Sequence, residues 1–344
     1  MAREIVSLSP GKCELREVDD PLPAPGEVLI RSEFGAAKHG TEMAAVKGYG
    51  RRGRYDNDLQ LFVQVDSQPA PDSPHVVRVG NMVVGQVEVL GDRVDTLSVG
   101  DRVAAHSSFR DLTTREASKC WKLEPEISWQ DAVCLDPADF AMAAVRDGQV
   151  RIGDAVAVFG LGAIGLMVIQ VARLAGAHPI IGLDPLMNRR EAGVACGADY
   201  VIDPANADAG MEIKLATSNR GADVIVEYSG SVHAMQAALR GVAFGGTVVA
   251  GAYPPPYGAG LDLGAEAHLN RPNIAFSRAC SEPNRDYPRW DEERLFENCR
   301  RLFREGKLTG QPIVSPIVPF EEIVTEYPKI VSDPGSNIKL GCKF

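Results

Sequence analysis

The chain has 344 residues, of which 45% are hydrophobic and 24% are charged, a composition typical of a globular protein with two domains. Its net charge of -10 argues against nucleic acid or an anionic membrane surface as the main partner. The seven cysteines are scattered without a Cys-x-x-Cys pair, which indicates reduced thiols in the cytoplasm rather than a disulfide framework or a zinc ribbon.

The first ~125 residues contain short strands separated by turns. Candidate strands are 27–31, 76–79, 83–90 and 102–105, and their β-branched content predicts an all-β module. Residues 51–74 are polar and proline-rich, which predicts an excursion on the surface.

From about residue 150 the pattern changes to alternating strands and helices. The predicted strands are 155–159, 180–183, 200–202, 223–227 and 247–250. The predicted helices are 163–175, 186–196, 211–218 and 232–241. This alternation predicts an α/β fold with a parallel, doubly wound sheet, whose ligands bind at the carboxyl ends of the strands.

A Gly-x-Gly-x-x-Gly motif joins the first of these strands to its helix. Gly160 permits a tight turn, Gly162 lets a pyrophosphate approach the backbone, and Gly165 allows the helix to pack closely on the strand. The backbone N–H groups of Leu161, Ala163 and Ile164 are expected to face the phosphates. The same three glycines divide the uncharged stretch 155–172, so we do not predict a membrane span there.

Asp184 follows Gly165 by 19 residues, close to the spacing of roughly 20 for an acid that binds the adenosine ribose. A carboxylate would repel a 2'-phosphate, so the sequence predicts NAD rather than NADP as the cofactor. Arg189 would stack on adenine, lie on a solvated helix face or, if it faced a 2'-phosphate, favour NADP. Ser229 ends the fourth strand and Ala250 and Gly251 end the fifth, which predicts that they line the nicotinamide side.

The last part of the chain begins with an amphipathic helix at 291–305. Its apolar residues recur at helical spacing, which predicts packing against the core. A strand-rich tail is expected to follow.

The chain resembles the medium-chain dehydrogenase/reductase superfamily of zinc-type alcohol dehydrogenases. The resemblance covers nearly the whole length and rests on Pro23-Ala-Pro-Gly-Glu-Val-Leu-Ile, His39-Gly-Thr-Glu42, Val79-Gly-Asn-Met-Val-Val-Gly-Gln-Val, Val99-Gly-Asp-Arg-Val and the Gly160 loop with Asp184. It implies a GroES-like catalytic domain made of residues 1–135 and 290–344, with a Rossmann domain inserted at 136–289. It also implies a homodimer or homotetramer formed through the nucleotide domain.

The chain departs from that family at the positions of the catalytic zinc. His39 stands in place of the usual Cys, and Gly80-Asn81-Met82 in place of Gly-His-Glu, while Asp136-Pro137 matches the third ligand position. Residues 107–119 lack the cysteines of the structural zinc lobe. Because Asn81 is a poor zinc ligand, we predict that no catalytic zinc is bound. This pattern is similar to a zinc-poor branch with relatives of bacteriochlorophyllide hydroxyethyl dehydrogenase and of sugar or polyol dehydrogenases.

Without zinc, a side chain must take the proton when an alcohol is oxidised. His39 is the first candidate, because the resemblance places it facing the substrate; it would otherwise only form local hydrogen bonds. His106 follows a strand that can face the cleft, where it would act in catalysis or have no part in it. Asp136 would orient a histidine, bind substrate hydroxyls or simply begin a helix before Pro137. Lys38 and Glu42 flank the first motif, and Glu42 is expected to be structural or a distant member of a proton path.

Together these features predict an NAD-dependent dehydrogenase for a hydroxylated small molecule, namely a sugar, polyol or cyclitol. One alternative is a zinc-free reductase of quinones or activated C=C bonds that uses NADPH. Another is a redox-sensing or structural protein that keeps the fold and the cofactor without turnover.

Overall fold

The computed structural model describes residues 1–9, 11–38, 40, 42, 46–47, 53–63, 76–333, 335 and 337–344. The amino-terminal part is built from strands, as the sequence predicts. They are β1 (Ala2–Ser9), β2 (Lys12–Val18), β3 (Glu27–Ala36), β4 (Arg54–Asp56), β5 (Leu61–Val63), β6 (Val77–Arg78), β7 (Met82–Leu90), β8 (Arg102–His106), β9 (Leu112–Glu116) and β10 (Cys120–Lys122).

The second part alternates strands with helices and then returns to the β-rich part. Its strands are β11 (Val156–Phe159), β12 (Ile180–Leu183), β13 (Tyr200–Ile202), β14 (Ala222–Glu227), β15 (Val242–Ala250), β16 (Asn273–Phe276), β17 (Val314–Pro319) and β18 (Lys339–Lys343). Its helices are α1 (Trp129–Ala132), α2 (Leu135–Asp147), α3 (Ala163–Leu174), α4 (Met187–Ala195), α5 (Ala209–Ala216), α6 (Val232–Gly241), α7 (Glu266–Asn270), α8 (Glu292–Arg304) and α9 (Ile323–Ser332).

A seven-stranded sheet joins the two ends of the chain. Its strands run in the order β10-β8-β7-β3-β18-β17, with β9 also paired to β3. The late strand β18 pairs antiparallel with β3, where Gly341 lies opposite Ala36, and parallel with β17. The side chains of Val28 and Ile30 on β3 are fully buried in a hydrophobic cluster on one face of this sheet. The β-rich part is therefore assembled from residues far apart in the chain.

A six-stranded parallel sheet forms the second part, with the order β13-β12-β11-β14-β15-β16. Chain order reverses between β11 and β14, which is the switch point where doubly wound sheets bind ligands. Phe159 lies opposite both Leu183 and Glu227, so three strands end side by side there. The predicted doubly wound sheet is confirmed, and β16 adds a sixth strand that the sequence analysis did not propose.

Helix α2 links the two parts and is absent from the sequence analysis, except as a possible start at Asp136. It is almost completely buried and packs against α3 and α8. Asp136 lies in its first turn, where a carboxylate interacts favourably with the helix dipole. The predicted amphipathic helix at 291–305 is present as α8, with Leu295, Cys299 and Phe303 in the core.

The prediction of a strand-rich tail is only half correct, because α9 lies between β17 and β18. Ile323, Tyr327 and Ile330 recur at helical spacing, and all three are buried in one hydrophobic cluster with Ile5 and Phe109. Burial of residues at this helical spacing favours a helix over another strand between β17 and β18. Of the excursion predicted at 51–74, the described residues 53–63 form the exposed hairpin β4–β5.

Within the described residues, no helix is both long enough and apolar enough to cross a membrane. All seven cysteines are free thiols. The domain boundaries predicted at residues 136 and 290 remain a prediction.

Candidate functional site

The glycine-rich turn after β11 has the geometry that its three glycines predict. Gly160 has a φ of +87°, and a Cβ there would lie 2.6 Å from the backbone N of Ser229. A Cβ on Gly165 would lie 1.9 Å from the carbonyl O of Gly160, so helix and turn are in direct backbone contact. A Cβ on Gly162 would meet no atom within 4 Å. Only Gly162 therefore faces open space, which a dinucleotide pyrophosphate would fill.

The amino terminus of α3 is free to bind an anion. Gly162 is its N-cap residue, and no side chain accepts a hydrogen bond from the first turn. The N–H groups of Ala163 and Ile164 therefore have no intrahelical acceptor, and the helix dipole adds positive potential. A phosphate placed over Gly162 would accept hydrogen bonds from these groups.

Leu161 differs from its expected role at the phosphates. Its backbone N–H donates a 2.9 Å hydrogen bond to Oδ2 of Asp184, and its side chain is fully buried. Its donor is occupied because the turn brings it against the end of β12. Leu161 therefore fixes the position of Asp184 rather than contacting a phosphate.

Asp184 lies directly after β12 and is 3% exposed. Its Oδ1 accepts a further hydrogen bond of 2.9 Å from the backbone N–H of Leu186. Nη1 of Arg189 lies 3.6 Å from Oδ2, and Nη1 of Arg190 donates to the backbone O of Asp184 at 2.8 Å. The interpretation of Arg189 as part of a solvated helix face is wrong, because its side chain is only 19% exposed.

The strands β14 and β15 end beside the glycine-rich turn. Glu227, at the end of β14, accepts hydrogen bonds from the backbone N–H groups of Ser229 and Gly230 and from the Ser229 hydroxyl. Burial raises the pKa of Glu227, and these donors partly offset that rise. Gly251 N–H donates to the carbonyl O of Glu227, which places Ala250 and Gly251 alongside this loop. The structure thus gathers the predicted cofactor residues at the carboxyl edge of one sheet.

A cavity of about 1040 Å³ lies where the β-rich part meets α2 and α8. Part of its wall is aromatic, since Trp121 stacks on Phe296 with ring centroids 4.0 Å apart. The polar groups in its wall that bear on chemistry are Lys38, Asn81, His106, Asp136 and Asp139. Two of the three predicted catalytic residues, His106 and Asp136, therefore share one cavity.

Lys38 and Asp136 form an ion pair in this cavity, with Nζ 2.8 Å from Oδ1. The ammonium group also lies 4.2 Å from the centre of the Phe140 ring. Burial raises the pKa of Asp136, but the charges of Lys38 and Lys339 more than offset this, so the net shift is downward. Asp136 is therefore an anion at neutral pH, although it is only 7% exposed.

His106 ends β8 and opens towards the cavity, with Trp121 edge-on at 5.4 Å between ring centroids. The cavity walls desolvate its imidazole and lower its pKa; Asp136 opposes this shift and Lys38 adds to it. The ring is therefore neutral at pH 7 and able to accept a proton.

Asp139 lies one helical turn after Asp136 on α2 and is 6% exposed. Its Oδ1 has no hydrogen-bond partner among the described residues. Burial, together with the charges of Asp136 and Glu292, raises the pKa of Asp139 to about 7. These two carboxyl groups of α2 thus differ, since that of Asp136 is ionised and that of Asp139 is half protonated near neutral pH.

Glu42 has the structural role that the sequence predicts. Its carboxylate accepts hydrogen bonds from the backbone N–H groups of Lys38 and Gly80 and from the Tyr327 hydroxyl. It therefore joins the first two motifs to α9. His39, the first candidate for the base, lies outside the described residues.

Comparison with known proteins identifies the chain. A family of zinc-binding dehydrogenases matches residues 163–290. The D-guloside 3-dehydrogenase of Escherichia coli strain K12 is 41% identical, over 99% of this chain and 100% of that protein. The chain belongs to the medium-chain dehydrogenase/reductase superfamily. It is an oxidoreductase of the alcohol dehydrogenase-like type, related to enzymes of sugars and polyols.

Solved structures of this superfamily share the fold over the full length. A short chain alcohol dehydrogenase of Escherichia coli CFT073, complexed with NADH, is 17% identical with a TM-score of 0.79, over 100% of this chain and 99% of that one. A protein described as a zinc-binding dehydrogenase of Sinorhizobium meliloti 1021, bound to NADP, is 18% identical with a TM-score of 0.77, over the same shares. These likenesses establish the GroES-like and Rossmann architecture, and both of these solved structures hold a nicotinamide cofactor.

The described residues of this superfamily member offer zinc a poor site. Among them, no three His, Cys, Asp or Glu side chains lie close enough together to hold a metal ion. Asp136 is already paired with the Lys38 ammonium, and Asn81 contributes a neutral amide. The Lys38 ammonium thus forms an ion pair with the Asp136 carboxylate, which matches the third zinc-ligand position of the family.

Sequence reasoning missed two residues of the cavity as functional candidates. In the sequence Lys38 is only a neighbour of the first motif, because its partner Asp136 is 98 residues away. Asp139 follows Asp136 by three residues, the spacing that places two side chains on one helix face. That spacing was visible in the sequence, but helix α2 was not.

Proposed function

We propose that this chain is an NAD-dependent dehydrogenase that oxidises a secondary alcohol of a sugar, polyol or cyclitol without a catalytic zinc ion. The observation that carries the proposal is the Lys38–Asp136 ion pair in the wall of the cavity. Support for the substrate class comes from the similarity to a D-guloside 3-dehydrogenase.

Oxidation of a secondary alcohol removes a hydride from carbon and a proton from oxygen. NAD held at the glycine-rich turn would supply the acceptor for the hydride. Lys38 uses one of its three N–H donors on Asp136, which leaves others to stabilise the negative charge that develops on the substrate oxygen. Lys38 thus takes the part that a Lewis acid plays in zinc enzymes.

His106 is our candidate for the proton acceptor. The surrounding walls desolvate the imidazole and lower its pKa, although the residue as a whole is exposed, so the neutral ring persists to lower pH than in a free histidine. The hydroxyl proton passes to this ring, and the products are a ketone, NADH and one proton. Asp136 holds the Lys38 ammonium in place rather than acting as a base, because its pKa is lowered.

The preference for NAD over NADP rests on Asp184. Its buried carboxylate lies at the end of β12, fixed by two backbone donors, where a 2'-phosphate would be repelled. The two neighbouring arginines are each paired with an acid, Arg189 with Asp184 and Arg190 with Asp203. Their positive charge, which could otherwise attract a 2'-phosphate, is therefore partly neutralised. Comparing the affinities for NADH and NADPH tests this preference.

A substrate panel tests the activity itself. Methyl glycosides, polyols, cyclitols, enones and quinones would be offered with each cofactor, following the NADH or NADPH absorbance. We expect NAD-dependent oxidation of at least one polyhydroxylated compound. NADPH consumption by enones or quinones alone would contradict the proposal, as would silence across the panel with tight NADH binding retained.

Metal analysis of the same preparation tests the absence of zinc. We expect less than one tightly held zinc ion per chain and turnover that survives dialysis against a chelator. One zinc per chain, with loss of activity on its removal, would overturn the role of Lys38 but leave the dehydrogenase assignment intact.

We also propose that the protein is a cytoplasmic homo-oligomer that associates through the edge strand β16. Four large apolar side chains on this side of the six-stranded sheet are between 44% and 76% exposed to solvent. They are Phe244, Leu269, Ile274 and Phe276. Apolar exposure of this kind marks an interface. The cytoplasmic assignment is supported by the seven unpaired thiols.

A further inference from the structure

The unpaired carboxyl group of Asp139 is the feature that the mechanism above leaves unused. Asp136 and Asp139 are three residues apart on α2, so both lie on one face of the helix, and both line the cavity. Asp136 has Lys38 as its partner. Asp139 is more than nine-tenths buried, yet its Oδ1 finds no partner in the described part of the chain.

A buried polar atom without a partner costs free energy, so natural proteins rarely keep one without a use for it. Packing alone does not account for an acid here, because α8 offers it no donor: Phe296 is apolar, and the negative charge of Glu292 opposes ionisation of Asp139. A leucine would fill the position at lower cost. A ligand in the cavity would supply the missing hydrogen bond.

The position of Asp139 relative to the reacting group defines what that ligand must carry. Side chains three residues apart on a helix have Cβ atoms about 5–6 Å apart. If Lys38, held by Asp136, binds the oxygen being oxidised, Asp139 is one helical turn farther along the wall. A hydroxyl on the adjacent carbon of the substrate can reach it.

We propose that Asp139 is a specificity-determining residue that binds a hydroxyl group next to the carbon being oxidised. This inference rests on the proposed function and narrows its substrate class to vicinal diols in sugar rings, as opposed to isolated secondary alcohols. A carboxyl group suits the task, because it accepts a hydrogen bond when ionised and donates one when protonated. The stacked rings of Trp121 and Phe296 supply an apolar wall for the carbon face of the ring.

Binding without turnover tests this role independently of catalysis. Methyl D-gulopyranoside and its 2-deoxy and 4-deoxy analogues would be titrated by calorimetry into the protein saturated with NADH, a mixture that cannot react. The variants are Asp139→Leu, Asp139→Asn and, as a matched control on the surface, Asp19→Asn. Thermal melting of each variant at the assay pH verifies that it is folded.

We expect the intact protein to bind the parent glycoside roughly 10–100-fold more tightly than one of the two deoxy analogues. Asp139→Leu should bind the parent glycoside more weakly by that same factor, so that its dissociation constants for all three compounds are alike. Asp139→Asn should recover part of it, and Asp19→Asn should match the unmodified protein.

Equal weakening of all three compounds by Asp139→Leu would overturn the inference, because it would indicate a general packing effect. Unchanged binding, or no binding of the glycoside by the unmodified protein, would overturn it as well. Discrimination that depends on Asp139, combined with no oxidation when NAD replaces NADH, would support Asp139 and refute the proposed function alone.

Discussion

Lys38 shows how one side chain can change the chemistry of a site. A metal ion would bring two positive charges and an open coordination position, whereas an ammonium group brings one charge and three directed donors. The ion pair with Asp136 and the contact with the Phe140 ring hold this cation in the cavity wall. In the proposed mechanism, charge stabilisation depends on this one long, flexible side chain instead of a metal ion.

Replacing Lys38 should therefore damage turnover more than cofactor binding. Lys38→Met keeps the length of the side chain and removes the charge, so we expect kcat to fall by roughly 10²–10⁴-fold. The dissociation constant of NADH should stay within about threefold. Steady-state kinetics and a fluorescence titration measure the two effects, and Lys12→Met on the exposed face of β2 is the control. A Lys38→Met enzyme with full kcat would exclude this role.

Asp139 should make stability depend on pH in a direction unusual for a carboxyl group. Its pKa of about 7 in the folded protein lies above the ordinary value of 3.8, so folding favours the protonated form. The contribution of Asp139 to the free energy of unfolding is fully present below about pH 4 and is lost as the pH rises through 7. From pH 5 to pH 8 the protein should lose on the order of 2 kcal/mol from this group.

Asp139→Asn removes that dependence. Its free energy of unfolding, relative to the unmodified protein, should increase between pH 5 and pH 8. Urea unfolding at both pH values measures the difference. A constant difference across this range would show that Asp139 titrates normally, and Asp19→Asn should show a constant difference.

At the scale of single elements, the glycine-rich turn separates binding from folding. Gly162 faces open space, whereas Gly165 is in backbone contact with Gly160. Gly162→Val should weaken NADH binding by at least about tenfold, because the side chain would occupy the space for the pyrophosphate. Its melting temperature should change by no more than about 2 °C.

Gly165→Val is the matched comparison on the same helix. Its Cβ would lie 1.9 Å from the carbonyl O of Gly160, so α3 would have to move away from β11. We expect destabilisation of at least ~2 kcal/mol, measured by urea unfolding. Two variants that lost NADH binding and stability to the same extent would contradict this division of roles.

The same turn explains which parts of the structure the sequence could predict. Gly160, Gly162 and Gly165 act through local backbone geometry, and helix α6 (Val232–Gly241) and strand β12 occupy the residues predicted for them. Lys38 and Asp136 meet only because the β-rich part packs on α2, and no local pattern encodes a contact across 98 residues. Helix α9 likewise could not be predicted locally, because the evidence for it is the burial of Tyr327, which only the folded structure shows.

For the whole molecule, the exposed apolar edge of the nucleotide sheet predicts an assembly. Ile274 lies on β16, which pairs only with β15 among the described strands, and it is 44% exposed. Ile274→Lys places a charge on that edge and should shift the protein to a monomer of 36.9 kDa. Light scattering measures the mass.

Leu22→Lys, at a residue that is 85% exposed in the β-rich part, should leave the mass unchanged. An Ile274→Lys protein with the mass of the unmodified oligomer would place the interface elsewhere. If the unmodified protein is itself a monomer, the proposal of a homo-oligomer is wrong.

The position of β18 has a consequence for biosynthesis. This strand comes from residues 339–343 but lies between β3 and β17 in the seven-stranded sheet. A ribosome releases the amino-terminal strands first, yet β3 lacks one neighbour until residues 339–343 have emerged. The nucleotide sheet, from Val156 to Phe276, is complete much earlier. During translation all strands of the six-stranded sheet are therefore available while the seven-stranded sheet is still unfinished, and the open edge of β3 must be shielded from other chains.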